Sequence, residues 1–413
     1  MKLSIIVCIY NTSRAYFREC LESIRSSTLP FSNYEILVVD DGSEVDYSDL
    51  VDAYQLRYVK TENRGILATR LYALMLAEGD YITFYDSDDT SSFNYHLPML
   101  LAAEREGADI VINDWAFQSE RAKYICTRDT TIKNDLYAEG DDVLELFASQ
   151  CGREHSYFVL WNKIFKREVL LEAAREIVRL ELSMGPVFYA EDVLINFFAF
   201  KHAKKAINIH TGYYFYRIHP RQSVNVSSEE KLRTQITSMT DTLCAMRENI
   251  GKNKHERKIL EYLDKWNALM ARSHYSHARS KKYLGVIPYI KERYGVEKLS
   301  MSTFKDGSAY TKNKILAENI ADIDKALREL YRVSDKPTDA HYDKKDVYVC
   351  RSIEHMCSYQ GKIVAWARDA HLSIPKSQIS LKTRFLHNHV VYGMGMILFK
   401  KGSKIRAFLK KRF

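Results

Sequence analysis

Residues 81–89 read YITFYDSDD, five β-branched or aromatic residues followed by three acids within four positions. A short run of this kind, bounded by a turn signal, is typical of a strand that is buried on both faces. The acidic cluster Asp86-Ser87-Asp88-Asp89 stands where that strand would end. Repulsion among three carboxylates is costly unless a cation lies between them. The stretch therefore predicts a buried strand ending at a cation site, the alternative being a turn cluster that caps the next helix.

The sequence on either side of this stretch alternates between strand and helix patterns. Strand patterns occupy residues 3–9, 35–39, 56–59 and 109–113, and helix patterns occupy about 14–27, 66–77 and 95–106. Repeated β-α-β order with β-branched strands predicts an α/β fold, with a mostly parallel sheet and flanking helices. In such sheets ligands bind beyond the carboxyl ends of the strands.

Two more polar clusters follow predicted strands, Tyr10-Asn11 after the first and Asp40-Asp41-Gly42-Ser43 after the second. Asp41 suits a hydrogen bond from a nucleobase or ribose, although a plain βα-turn would also use an acid and a glycine. Arg64 and Arg70 flank the start of the next helix, a place that suits a phosphate or ribose, or else a solvated surface pair. The three strand ends predict one shared site.

Two candidate groups lie further along the chain. Glu191-Asp192 stands between an aromatic segment and an apolar helix, where acids serve either as a helix cap or as a general base. Arg217 and His219 supply a cation and an imidazole in a short segment, a mixture that suits a diphosphate or a metal. A lone histidine is more often structural, so both interpretations of His219 stay open.

Composition sets broader limits. The chain has 413 residues and a net charge of +8, a balance that suits nucleic acid, an anionic membrane surface or a phosphorylated substrate. Its seven cysteines are scattered and never spaced as CxxC, which argues against a zinc site or a disulfide framework and favours a reducing compartment. No secretory signal is evident, and the best apolar run, 390–399, is half of the ~20 residues that a membrane span needs. We expect a cytoplasmic protein.

From about residue 228 the pattern becomes helical, charged and poor in glycine. We therefore predict a catalytic domain at 1–226, a helical domain at 227–335, and a linker with a basic C-terminal segment at 336–413. Residues 400–413 carry seven basic side chains and no acid, interleaved with apolar ones. That pattern suits either a helix on the inner face of the cell membrane or a basic, partly disordered terminus.

Seven short motifs, taken in order, resemble those of family 2 glycosyltransferases with the GT-A (Rossmann-like) fold. They are SIIVCIYN (4–11), VVDDGS (38–43), NRG (63–65), DSDD (86–89), WNKIF (161–165), ED (191–192) and YRIH (216–219) with Ser223. Seven weak motifs in the expected order are far more specific than one. The resemblance covers roughly residues 1–225, and Cys8 stands where the family usually has proline.

For the nucleotide, the resemblance implies that Tyr10 stacks on a uridine base and that Asp41 accepts a hydrogen bond from it. Asn11 belongs to the same predicted nucleotide-sugar site. Arg64 and Arg70 would lie near the nucleotide.

For the reacting groups, it implies that Asp86 contacts ribose or a metal-bound water and that Asp88 ligates Mn²⁺ or Mg²⁺. Arg217 would hold the diphosphate, and His219 would complete the metal shell. Asp192 would be the catalytic base, with Glu191 beside it.

The expected function is inverting transfer of a sugar from a nucleotide-diphosphate donor, with UDP-sugars favoured, to a hydroxyl of a cell-surface glycan or lipid-linked acceptor. Capsule, teichoic acid, lipopolysaccharide and protein-linked glycans all remain open as acceptors. An alternative is another nucleotide-binding α/β transferase, such as a nucleotidyltransferase, but neither GxGxxG nor GxxxxGK[ST] occurs near the N-terminus. A nucleic-acid-binding protein rests on basic charge alone and leaves the acidic strand ends unexplained, so we expect no nucleic acid partner.

Overall fold

The structure, a computed structural model, describes residues 2–299 apart from 28, 120–123, 128–136, 151–154, 181–188, 220–221, 223–224 and 252–253. Strands and helices first alternate as β1 (Leu3–Ile9), α1 (Arg14–Arg25), β2 (Tyr34–Asp40), α2 (Ser48–Ala53), β3 (Arg57–Lys60), α3 (Ile66–Leu76), β4 (Tyr81–Asp86), β5 (Thr90–Ser91), α4 (His96–Glu106) and β6 (Ile110–Ser119). The predicted strands and helices of this region are confirmed to within a few residues, except that β6 extends six residues beyond its predicted end.

The chain continues as β7 (Tyr124–Thr127), β8 (Tyr137–Glu139), α5 (Asp142–Gln150), α6 (His155–Phe158), β9 (Lys163–Lys166), α7 (Arg167–Arg179), α8 (Glu191–His202) and β10 (Lys205–Ile218). All these strands join one sheet, whose main path runs β3-β2-β1-β4-β9-β6-β10-β5. Strands β3, β2, β1 and β4 are parallel, as expected for strands joined through the helical crossovers α1, α2 and α3. The sheet is mixed beyond them, because β9 runs antiparallel to both β4 and β6. The predicted α/β fold is confirmed, and its parallel part is the half that carries the polar strand ends.

Strand β1 lies at the centre of that parallel half and sets the register of its neighbours. Ile9 is paired with Asp40 on β2, and Cys8 is paired with Asp86 on β4. The polar segments that follow the three strands therefore leave the sheet side by side.

Both faces of β1 are covered, as its continuous apolar sequence predicts. Ile6 belongs to the hydrophobic core on one face, while Ile5 and Val7 belong to the core on the other. Full burial of one such side chain contributes on the order of 1.5–3 kcal/mol, so the strand is fixed firmly and its end is a rigid platform.

Three helices follow the sheet: α9 (Glu229–Glu248), α10 (Lys254–Lys281) and α11 (Ile287–Tyr294). The Ser228 side chain caps α9 by accepting a hydrogen bond from the backbone N–H of Lys231. Leu232, Leu263 and Ile290 from these helices share one hydrophobic core with Phe197 of α8. The helical pattern is therefore found, and its apolar face packs against helices that belong to the sheet region. The division at 226 and 335 stays a prediction, and 336–413 lies outside the described residues.

Within the described part of the chain, the search for a helix long and apolar enough to cross a membrane finds none.

Candidate active site

Hydrogen bonds join the segments that follow β1, β2 and β4. The backbone N–H of Asn11 donates to Ser43 Oγ at 2.8 Å, and its side-chain oxygen accepts from the Glu44 N–H at 2.8 Å. The hydroxyls of Thr12 and Ser87 are 2.7 Å apart. Three strand ends that are far apart in sequence thus form one continuous surface, as predicted.

Asp41 holds the loop that leads into α3. It is buried, and its carboxylate accepts hydrogen bonds from the backbone N–H groups of Arg64 at 2.8 Å and Gly65 at 3.1 Å. The Arg64 guanidinium lies 4.8 Å from the centre of the Tyr72 ring. Tyr10, at the end of β1, is 55% exposed, which leaves its ring open to a stacking partner. Asp41 therefore organises the loop, the turn-forming role that the sequence left open, and its contact with a base stays a prediction.

Arg70 binds three carboxylates from two distant parts of the chain. Its Nη2 donates to Asp86 at 3.0 Å, and its Nη1 donates to Glu191 at 2.8 Å and to Asp192. The Arg70 side chain is 6% exposed. Burial would lower its pKa, but the nearby carboxylates, led by Asp192, raise it above the usual range. Arg70 thus connects the predicted base to the acidic strand end, and its hydrogen bonds to described residues go to carboxylates.

The same cluster changes the acidity of two of these carboxyls. Burial, opposed by the charge of Arg70, raises the pKa of Asp86 to about 7. Burial and the neighbouring charge of Asp192 raise the pKa of Glu191 well above its usual range. Two carboxyls this close favour sharing a proton, because that lowers the repulsion between them.

Glu191 and Asp192 form the first turn of α8, whose N-cap is Ala190 in the left-handed region at φ 69°. Neither acid occupies the N-cap position itself, but both lie in the first turn, where negative charge favours a helix N-terminus, so the helix-end role stays an alternative to the general base. A non-glycine residue in that region costs on the order of 1 kcal/mol. This strained turn directs both side chains to Arg70.

Asp88 and His219, the two predicted metal ligands, lie against each other. His219 Nε2 is 2.8 Å from Asp88 Oδ2. This contact is a hydrogen bond, and it places an imidazole nitrogen and a carboxylate oxygen close enough to converge on one cation. Among the described residues no three His, Cys, Asp or Glu side chains form a metal-binding group. Two protein ligands nevertheless suit Mg²⁺ or Mn²⁺, which keep waters and take up substrate phosphates.

Arg217 is anchored from several sides. Its backbone N–H donates to Asp89 and its Nε donates to the Asp88 carbonyl, both at 2.7 Å. Its Nη2 donates to Glu19 at 2.5 Å, and its guanidinium lies 4.6 Å from the centre of the Tyr16 ring. Arg217 therefore stands beside the predicted metal ligands, with its charge held at the end of the acidic loop.

Asp89 is a structural part of this loop. It is fully buried, and burial together with the charges of Asp88 and Asp86 raises its pKa well above the usual range. The alternative that Asp89 caps the following helix is wrong, because α4 begins seven residues later, at His96.

Two site residues, Tyr16 and Glu19, carried no sequence signal of their own. Both lie on α1, outside its buried face, and the apolar periodicity of the sequence indicates only which residues of a helix are buried. Lys163, within the WNKIF motif, is completely buried, and its amino group donates to the carbonyls of Ser156 and Val159 and to Asn162 Oδ1. Burial lowers the pKa of Lys163 well below its usual range, while the charge of Asp192 opposes this.

Comparison with known proteins adds to this geometry. The sequence model for glycosyl transferase family 2 matches residues 4–148. EpsH of Bacillus subtilis (strain 168), named as a glycosyltransferase, is 30% identical over 273 residues, which cover 63% of this chain and 73% of EpsH. Glycosyltransferase GlyA of Streptococcus pneumoniae serotype 4 is 26% identical over 249 residues, covering 59% of this chain and 34% of GlyA.

Among solved structures, TarS 1–349 from S. aureus in complex with UDP-GlcNAc has a TM-score of 0.52 at 18% identity, covering 89% of this chain and 92% of that one. This likeness supports the fold. The 30% identity to EpsH over 73% of its length, together with the family match, shows the family. The chain belongs to family 2 of the glycosyltransferases and is a glycosyltransferase.

Proposed function

We propose that this glycosyltransferase transfers a sugar from a uridine diphosphate donor to an acceptor hydroxyl, with inversion at the anomeric carbon. The observation that carries the proposal is the Arg70 cluster, which brings Asp192 beside the acidic strand end at Asp86. A general base must stand within reach of the reacting hydroxyl, and the donor phosphates need cationic groups nearby. Arg217 supplies the second requirement at the same strand end, and the Asp88–His219 pair would add to it by holding a cation.

In the proposed reaction Asp192 accepts the proton of the acceptor hydroxyl as that oxygen bonds to the anomeric carbon. The bond from this carbon to the diphosphate oxygen breaks, and the diphosphate leaves with the electron pair. Arg217 donates hydrogen bonds to the departing oxygens, a preorganised charge that needs no rearrangement during the reaction. Arg70 keeps the Asp192 side chain in place through a hydrogen bond to one carboxylate oxygen.

Asp88 and His219 would hold Mn²⁺ or Mg²⁺. When bound, the ion would supply positive charge that neutralises the diphosphate. Release of sugar from a panel of nucleotide-sugars with Mn²⁺, Mg²⁺ or EDTA measures both donor choice and metal dependence. Unchanged rates in EDTA would remove the metal from the proposal.

The base assignment is tested with Asp192→Asn. We expect transfer to fall by about 10²–10⁴-fold, because the amide accepts no proton, while UDP affinity stays within about threefold. Asp264→Asn is a matched control, since its carboxylate lies in an exposed pair with Arg247 on the helices. Transfer by Asp192→Asn at the wild-type rate would show that another group is the base.

The acceptor belongs to the same proposal. We propose a cell-surface glycan or a lipid-linked glycan, and a cytoplasmic enzyme that works at the inner face of the membrane. The seven basic residues of 400–413 and the apolar ones between them support attraction to an anionic leaflet. The full chain should float with anionic liposomes, and a chain ending before Lys400 should not. Equal flotation of the two would remove residues 400–413 from the proposal.

UDP-GlcNAc is the ligand in the TarS structure that shares this fold. This supports uridine as the donor base, and an exposed Tyr10 beside the Asp41 turn suits it, because a ring can stack on the base while neighbouring polar groups bind its edge. Calorimetry with UDP, GDP and CDP tests the choice. Equal affinity for the three would show that the base is not read.

A further inference from the structure

Helix α1 brings one acidic side chain to the predicted diphosphate site. Tyr16 and Glu19 are three residues apart on α1, so they lie on the same side of the helix. Tyr16 covers the guanidinium of Arg217, and its ring centre is 5.1 Å from that of His219. Glu19 accepts a hydrogen bond from Arg217 Nη2 at 2.5 Å. The Glu19 carboxylate is therefore already bound to Arg217, the cation that we expect to bind the anionic diphosphate.

The contacts of Arg217 differ in how easily they can be exchanged. The bonds to the Asp88 carbonyl and the Asp89 carboxylate belong to the acidic loop itself, and the Arg217 side chain is 5% exposed. The Glu19 side chain is 49% exposed. Water competes for the half-exposed Glu19 carboxylate, so this pair contributes less to stability than one in which both partners are buried. Glu19 is thus the partner of Arg217 that an anion approaching from solvent meets and can replace at small cost.

We propose that Glu19 is an internal competitor of the donor diphosphate. Its carboxylate occupies a guanidinium N–H of Arg217 when donor is absent, and a phosphate oxygen takes over that N–H on binding. The inference rests on the proposed role of Arg217 as a diphosphate ligand. It also implies repulsion between Glu19 and the bound diphosphate, beside a loop that already carries Asp86, Asp88 and Asp89. Glu19 would therefore keep donor and product affinity moderate.

The experiment measures binding of inorganic pyrophosphate and of UDP to the full chain by calorimetry, at a fixed Mg²⁺ concentration. Glu19→Gln should lower the Kd of both by about three- to tenfold, because the competitor and its charge are gone. The gain should shrink as salt is raised, since exposed charges are screened. A role in folding alone would instead lower the unfolding temperature without tightening either ligand.

Glu22→Gln is the matched control. It removes the same charge one turn further along α1, where the carboxylate accepts a long hydrogen bond, 3.4 Å, from the Tyr54 hydroxyl. Its Kd values should stay within about twofold of the wild type. Glu19→Gln is also compared in an Arg217→Met background, where the gain should disappear.

Unchanged or weaker pyrophosphate binding by Glu19→Gln would overturn the proposal. So would an equal gain in Glu22→Gln, or a gain that persists in the Arg217→Met background, because either result would mean a general charge effect. The proposed donor is tested separately: UDP bound no better than uridine would reject that donor class, while the pyrophosphate comparison would still decide the role of Glu19.

Discussion

The Arg70 guanidinium compensates the negative charge of the carboxylates around it. Three carboxylates converge on one buried guanidinium, and two of them belong to the first turn of α8, more than 120 residues away in sequence. Buried ion clusters of this kind add little net stability when complete, but removing one member leaves charges without a partner. The motif pattern identified the participants one by one. It could not show that Arg70 contacts the acids, because no local spacing connects residues so far apart.

Replacement of Arg70 by methionine should destabilise the protein by about 3–5 kcal/mol, since three partly buried carboxylates lose their cation. Denaturant unfolding at neutral pH measures this loss. Arg70→Lys should lie between the wild type and Arg70→Met, because one ammonium cannot bridge the same spread of oxygens. Arg247→Met, in the more exposed pair with Asp264, should cost about 1 kcal/mol or less and serves as the control. Equal losses at the two positions would contradict this account.

At the scale of elements, the site depends on how the turn after β2 approaches the loop before α3. Gly42 has φ +84°, and a Cβ added there would lie 2.7 Å from the backbone nitrogen of Asn63. That close approach lets Asp41 reach the N–H groups of Arg64 and Gly65. Sequence reasoning located the strands because apolar runs report burial directly. The antiparallel entry of β9 between β4 and β6, and the position of α1 over Arg217, depend on tertiary packing and left no periodic signal.

Gly42→Ala should destabilise the fold by about 1–3 kcal/mol, from left-handed strain plus the contact with Asn63. UDP binding should weaken in parallel, because the turn positions Asp41 and its loop. Gly107→Ala is a matched comparison: it has a similar φ, +60°, but nothing within 4 Å of the added Cβ. The amount by which Gly42→Ala loses more stability than Gly107→Ala measures the cost of the contact with Asn63. Equal losses would show that the loop shifts to accommodate the Cβ without a cost in stability.

At the scale of the whole molecule, helix α4 and the C-terminal helix α10 each contain a buried histidine. His96, at the start of α4, packs against Tyr85 and Tyr95, and burial lowers its pKa to about 3. Burial likewise lowers the pKa of His274 on α10 to about 4, and its Nδ1 is 2.8 Å from the Tyr294 hydroxyl. Below pH 6.5 the unfolded chain binds protons at both positions while the folded chain does not. Stability should therefore fall as pH decreases toward 4.

The raised pKa of Asp86 acts in the opposite direction between pH 4 and 7, because the folded state then holds the extra proton. A difference between variants separates the two effects. Unfolding of His96→Leu should take up about one proton fewer than unfolding of the wild type. The slope of its unfolding free energy with pH should therefore differ from the wild type by about 1.4 kcal/mol per pH unit between pH 6 and 4. Unfolding free energies of His96→Leu and the wild type across this range provide the measurement. Parallel pH profiles would mean that His96 titrates normally in the folded protein.

Lys163 offers a way to observe the site without assaying it. Its amino group is enclosed by the two carbonyls of the α6 turn and by Asn162, and Asn196 ties the same turn to the backbone of Asp192. An amine-reactive reagent can reach it only when β9, the turn and the start of α8 separate. Its rate of chemical modification, compared with that of an exposed lysine such as Lys258, therefore reports how often the structure around Asp192 opens locally.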